Sequence, residues 1–152
     1  MSVHTALGAL NNTVTKTIIF KDEEHKKFYF EYLQRCRCDD VYHKALIYTL
    51  GIDRDSRENI DTIYDFNTGC VKPEGLHQGW ITSGSARIVR MAFNLYCNGT
   101  PSVFEYEDDP DAALDEANRY SAEELFCGGY APFFWQAIQI RYPEYCQEEI
   151  RC

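Results

Sequence analysis

The sequence has no run approaching the roughly 18 apolar residues that a membrane helix requires. Its opening stretch, MSVHTALGALNNTVTKT, has no charged region leading into an apolar one. Neither a bilayer span nor a secretory leader is expected, and the chain reads as cytoplasmic. Cysteines are present but unordered: Cys36, Cys38, Cys70, Cys97, Cys127, Cys146 and Cys152 are odd in number and irregularly spaced. That argues against a disulfide framework and for free thiols, most of them, Cys127 included, packed as small core hydrophobes. Cys36-x-Cys38 followed by His43 is not a zinc spacing, and no second paired half exists. No phosphate-binding or dinucleotide fingerprint occurs. Internal repeats are lacking too. No metal and no cofactor are expected.

Positive charge is scarce in one part of the chain. Residues 1–97 hold 12 acids and 12 bases, whereas residues 98–152 hold 12 acids and only Arg119, Arg141 and Arg151. The whole net charge of −9 therefore falls in the last third. Repulsion between that part and a phosphate backbone disfavours direct nucleic-acid binding, and attraction to a basic surface is favoured.

Apolar side chains are plentiful, at 45% of a 152-residue chain with 14% aromatic. A domain of that length buries roughly 68–70% of its unfolded surface, enough for a core without staples. The expectation is a mainly α, compact single domain of five or six helices over residues 18–152, with at most a minor strand element. Residues 1–17 read as a flexible arm and residues 98–120 as an acidic loop.

Helix boundaries follow from caps and periodicity. Asp22 to about Arg37 has acids at its start, bases at its end and a stripe of Phe28, Tyr29, Tyr32, Leu33 and Cys36. A second helix follows Asp39 or Asp40 and stops at Gly51. A third covers Ser56 to Phe66. Asn67 to Gly79 loses periodicity and reads as a loop. Thr82 or Ser83 caps a helix that ends at Cys97, before Asn98-Gly99. Short helices are expected near Asp111–Asn118 and after Ser121, whose SAEE pattern fits a capping box. The helix near 131–141 is apolar almost all round, which predicts a central, buried position with Trp135 in the core.

Two stretches are candidate working surfaces. The first runs from Lys72 to Arg90, where a glycine-bearing loop feeds a helix N-terminus, the end at which unpaired N–H groups favour an anion. Lys72, His77, Thr82, Ser83, Ser85, Arg87 and Arg90 are its candidate ligand-binding residues, toward a nucleotide or another anionic small molecule. The same residue types also serve an ordinary helix cap. Glu74 with His77 could act as an acid/base pair, but their loop spacing fixes no geometry, and no residue is assigned a catalytic role. The second stretch is acidic, over 105–116. It lacks the ordered alternation of a calcium loop, so it reads as a solvated loop or a docking surface. Glu105, Glu107, Asp108, Asp109 and Asp111, with Trp80 as a candidate interface anchor, would meet a basic protein surface.

Four segments as a set, FKDEEHKKFYFEYL (20–33), KPEGLHQGWITSGSARIVRMAFNLYCNG (72–99), SAEELFCGGYAPFFWQAI (121–138) and RYPEYC (141–146), carry a resemblance. The chain resembles a domain-of-unknown-function family of small proteins from anaerobic gut bacteria and their mobile elements. The resemblance implies a bacterial or phage cytosolic setting and carries no catalytic or binding residue with it. The leading expectation is a small acidic binding protein acting by protein–protein contact. In its sharpest form it inhibits a host defence or nucleic-acid-handling complex in the manner of an anti-CRISPR protein. The alternative is an anion-binding sensor, sponge or enzyme built on residues 72–90.

Overall fold

Six of the seven helices in the described part of the chain start with the same device. A side-chain oxygen at the N-cap accepts the backbone N–H three residues on, satisfying one of the donors a helix start leaves free. The pairs are Asp22 with His25, Asp40 with His43, Asp53 with Ser56, Thr82 with Ser85, Asp109 with Ala112 and Ser121 with Glu124, all within 2.8–3.3 Å. The helices so begun are α1 (Glu23–Leu33), α2 (Val41–Leu50), α3 (Arg54–Glu58), α4 (Ser83–Cys97), α5 (Pro110–Asn118) and α6 (Ala122–Phe126). The seventh, α7 (Ala131–Arg141), has Pro132 in its first turn instead, where a missing N–H costs nothing. A computed structural model describes residues 17–146. The expected arm at 1–17 lies, but for Thr17, outside the described residues.

The mainly α architecture is as expected, with more and shorter helices. Residues 56–66 do not form one helix. After α3, Ile60–Thr62 makes a single 3-10 turn, and the chain enters a two-stranded antiparallel hairpin, β1 (Tyr64–Asp65) against β2 (Cys70–Val71). This path buries Ile60, Ile63 and Tyr64 together. The hairpin turn is built by the Asp65 carboxylate, which accepts from the N–H groups of Asn67 and Thr68, and by Gly69 in the left-handed region. The stretch expected to be loop thus contains β2 and a further 3-10 turn, Pro73–His77. Helix α1 stops four residues short of Arg37, because Arg35 turns over the Phe66 ring at 4.3 Å and Arg37 donates to the Thr68 carbonyl.

Helix α2 occupies the centre, flanked by α1, α4 and α7. Ala45 through Leu50 are fully buried. This overturns the expectation for α7. Its buried residues are Phe134, Gln136, Ala137 and Arg141, while Trp135 is 54% exposed. An all-round apolar sequence does not ensure an all-round cover: α2 and α4 already fill the middle, and α7 lies on them by one face. The cysteine expectation is also corrected. None of the six described cysteines is buried, and all are free thiols. They sit where elements end: Cys97 is the last residue of α4, Cys127 follows α6 and Cys70 belongs to the hairpin. Among the described residues no helix is long and apolar enough to cross a membrane.

Close packing of α1 on α2 rests on Gly51 and His25. A Cβ at Gly51 would lie 2.8 Å from His25 Cδ2 and 2.9 Å from Phe28 Cδ1, so close approach, not a left-handed backbone, requires glycine there. Gly51→Ala is expected to cost about 1–3 kcal/mol by overpacking, read as a lowered urea midpoint. His25 is completely buried, with Nδ1 accepting from the Lys21 N–H at 3.1 Å and Nε2 donating to the Tyr48 carbonyl at 2.7 Å. Only the neutral ring makes both bonds, and burial lowers its pKa. The unfolded chain takes up this proton near pH 6.5, before the folded one does. Stability is therefore full above about pH 6.5 and falls as pH drops toward the lowered folded pKa. Urea titrations at pH 7.5 and 5.5 are expected to show a smaller acid loss in His25→Gln than in the wild type.

Candidate functional site

The Lys72–Arg90 region is tied inward through Lys72, Trp80, Thr82, Ser85, Arg87 and Arg90. Thr82 and Ser85 close a reciprocal cap: Ser85 N–H donates to Thr82 Oγ1 at 3.1 Å, and Thr82 N–H donates to Ser85 Oγ at 2.7 Å. Ser85 is buried, and Ser83 stands exposed beside it. The glycine at position 75 is a packing requirement, since a Cβ there would strike the Thr62 carbonyl. The cations are held in turn. Lys72 Nζ donates to the Asp61 carbonyl at 2.7 Å, and Arg87 Nε donates to the Glu124 carbonyl at 3.0 Å, joining α4 to α6. Arg90 donates through both Nε and a terminal nitrogen to one oxygen of Glu116, at 3.1 and 3.0 Å, with both side chains largely buried. Trp80 lies half-buried against the core, and its indole N–H donates to Thr62 Oγ1 at 3.1 Å.

The two candidate surfaces adjoin. His77 meets Phe104 edge to face, with ring centres 5.5 Å apart, and Arg90 reaches α5 through Glu116. One cation of the loop-helix region, Arg90, thus serves as internal counter-charge for one acid of the last third, Glu116. Arg87, Arg90 and His77 do not converge on one solvent-facing point: each faces a different neighbour.

The acidic stretch keeps its charge outward. Glu105, Glu107, Asp108, Asp109 and Asp111 are exposed, and no basic side chain among the described residues pairs with them. Their backbone is nonetheless built. Asp108 and Asp109 N–H groups donate to the Glu105 carbonyl, Asp109 caps α5, and Tyr120 Oη donates to the Pro101 carbonyl at 2.7 Å. Between the acids stand Val103, Phe104, Tyr106 and Leu114, all exposed, with Tyr106 at 68%. These apolar neighbours escape an inspection of charge alone. Their signal in the sequence is the alternation Val103-Phe104-Glu105-Tyr106-Glu107.

Sequence reasoning also missed a polar hub between α2, α4 and the hairpin. His43 Nδ1 lies 2.7 Å from Asp40 Oδ1, while Tyr96 Oη donates to the Gly69 carbonyl at 2.6 Å and lies 3.3 Å from both His43 Nε2 and Tyr64 Oη. Burial opposes the charge on Asp40, but bonds from the His43 N–H and ring outweigh it and hold the carboxyl below its usual range. The order of groups is that of a proton relay, yet its last donor is committed to a backbone carbonyl, so the hub anchors the hairpin. The Asp40-x-x-His43 spacing is visible in the sequence; Tyr96, 53 residues further on, is not. Among the described residues no group of His, Cys, Asp and Glu side chains is arranged to hold a metal ion.

Glu116→Ala strands a buried guanidinium and is expected to cost about 3–5 kcal/mol. Arg90→Met combined with Glu116→Leu is expected to recover most of it, both read by urea denaturation.

Comparison with known proteins finds no curated protein and no solved structure that matches. Residues 15–152, which include both candidate surfaces and the hub, match the family of unknown function DUF6075, and the chain belongs to that family.

Proposed function

We propose that this protein is a binding protein of the bacterial cytosol that grips a basic protein surface with residues 103–115. The observation that carries this reading is the exposure of Val103, Phe104, Tyr106 and Leu114 near Glu105, Glu107, Asp108, Asp109 and Asp111, which meet no basic side chain among the described residues, on a backbone held by caps and turns. Each half has a physical task. Carboxylates steer a basic partner and fix its register, raising the association rate at low salt. Aromatic side chains desolvated at the contact supply affinity. A segment already ordered loses little conformational freedom on binding.

In its sharpest form the partner is a nucleic-acid-handling or defence complex, and the acidic face occupies the basic groove that otherwise holds a phosphate backbone. A bacterial mobile element is the setting in which such an inhibitor acts. The acidity that suits a basic groove also disfavours direct contact with nucleic acid.

The test is a pull-down from bacterial lysate at two salt concentrations, with partners identified by mass. Asp108→Asn, Asp109→Asn and Asp111→Asn together are expected to slow association about tenfold or more at low salt. Tyr106→Ala is expected to weaken capture at either salt. Added duplex DNA or RNA competes if the partner surface is a nucleic-acid groove. A partner set unchanged by the charge variant and by raised salt overturns the docking reading.

A further inference from the structure

A cleft of about 480 Å³ opens where the end of α1 turns into α2, and no residue of the two candidate surfaces lines it. Its volume falls in the range of small-molecule sites, roughly 300–1,000 Å³. Ile18, Phe30 and Leu33 form an apolar wall, and Phe30 is 53% exposed although it belongs to a helix that packs on the core.

The polar groups of the cleft are few and of complementary kinds. Tyr29 lines it with only 3% of its surface exposed, and its hydroxyl makes no hydrogen bond to another described residue. The hydroxyl oxygen is not among the sealed, unpaired polar atoms, so it stays open to solvent, and an acceptor in the cleft can take the place of water on it. Its pKa is pushed up to about 12, first by burial and then by the Asp39 carboxylate. At that end stand two cations, Arg37 and Lys44, against the single carboxylate of Asp39. Arg37 uses one terminal nitrogen on the Thr68 carbonyl, and its guanidinium has others to offer. Lys44 meets Asp39 at 3.5 Å in a solvent-exposed pair. Exposed pairs of this type are weak and exchange readily, so Lys44 can turn to an incoming anion.

We infer that this cleft binds a small organic anion with an apolar body, of the aryl-alkyl or medium-chain carboxylate class. The apolar body lies along Ile18, Phe30 and Leu33, and the carboxylate accepts from Tyr29 Oη and meets Lys44 and Arg37. This site is independent of the docking surface at 103–115, and either can stand without the other.

The test uses 4-phenylbutyrate and its uncharged analogue 4-phenylbutan-1-ol, with decanoate as a longer carboxylate, titrated into the full chain and followed by NMR shifts and thermal stabilisation. The expected result is saturable one-to-one binding of the carboxylates, with the alcohol weaker by about tenfold. Lys44→Met lowers carboxylate affinity by a similar factor and leaves the alcohol unchanged. Tyr29→Phe, which keeps the ring, lowers it about fivefold, as loss of one donated bond implies. Leu33→Trp fills the cleft and removes binding of all three compounds. If that variant does not fold, the two near-isosteric ones still decide. No saturable binding of either carboxylate, equal affinity for the alcohol, or variants that bind as the wild type would each overturn the proposal.

Discussion

Burial of α2 from Ala45 to Leu50 is the constraint on which the rest of the structure depends. Over that stretch no side chain meets water, so every polar atom must be answered from within. Thr49 bonds back to the Ala45 carbonyl, and Tyr48 reaches the Ile19 carbonyl. The Tyr48 carbonyl in turn receives His25, which is why a histidine stands in α1 at a fully buried position. Gly51 ends α2 where any Cβ would push that histidine away. The lead-in at residues 17–20, the start of α1 and the end of α2 are thus fixed by a single demand for satisfied polar groups.

Arginines work as struts around this centre. Arg87 and Arg90 join α4 to α6 and α5, and Arg141 joins the end of α7 to the end of α4. Arg141 donates to the Leu95 carbonyl and to Asn98, with its guanidinium 3.6 Å from the Tyr42 ring centre. A planar fork of donors on a long stem can serve a helix C-terminus and an aromatic face together. Glu116, largely buried, is neutralised by Arg90, and the other acids of 105–111 stay in water.

Local signals were legible in the sequence, and distant ones were not. Thr82, Asn98, Asp40 and Ser121 announce helix ends because a cap is a contact over three or four residues. The limits of α4 could be read directly for that reason, with Asn98 left-handed at its end. The hairpin at Tyr64–Val71 was hidden because two-residue strands leave no period, and what stabilises them is Tyr96 on α4. Trp135 was misplaced because its own helix is apolar all round, and which face is covered depends on α2 and α4. In the candidate site the charge of 105–111 could be read, but the commitment of Arg87 and Arg90 to internal partners required the tertiary structure. The cleft at the end of α1 depends on a turn between two helices, and no spacing rule reports it.

The position of α2 has a consequence for synthesis. Its cover comes from α4 and α7, and α7 ends at Arg141, about 90 residues after Leu50. At elongation rates of about 5–20 residues per second, the apolar surface of α2 waits on the order of ten seconds for its last neighbour. The nascent chain passes that interval as an incomplete core, a natural client for chaperones that shield exposed apolar helices.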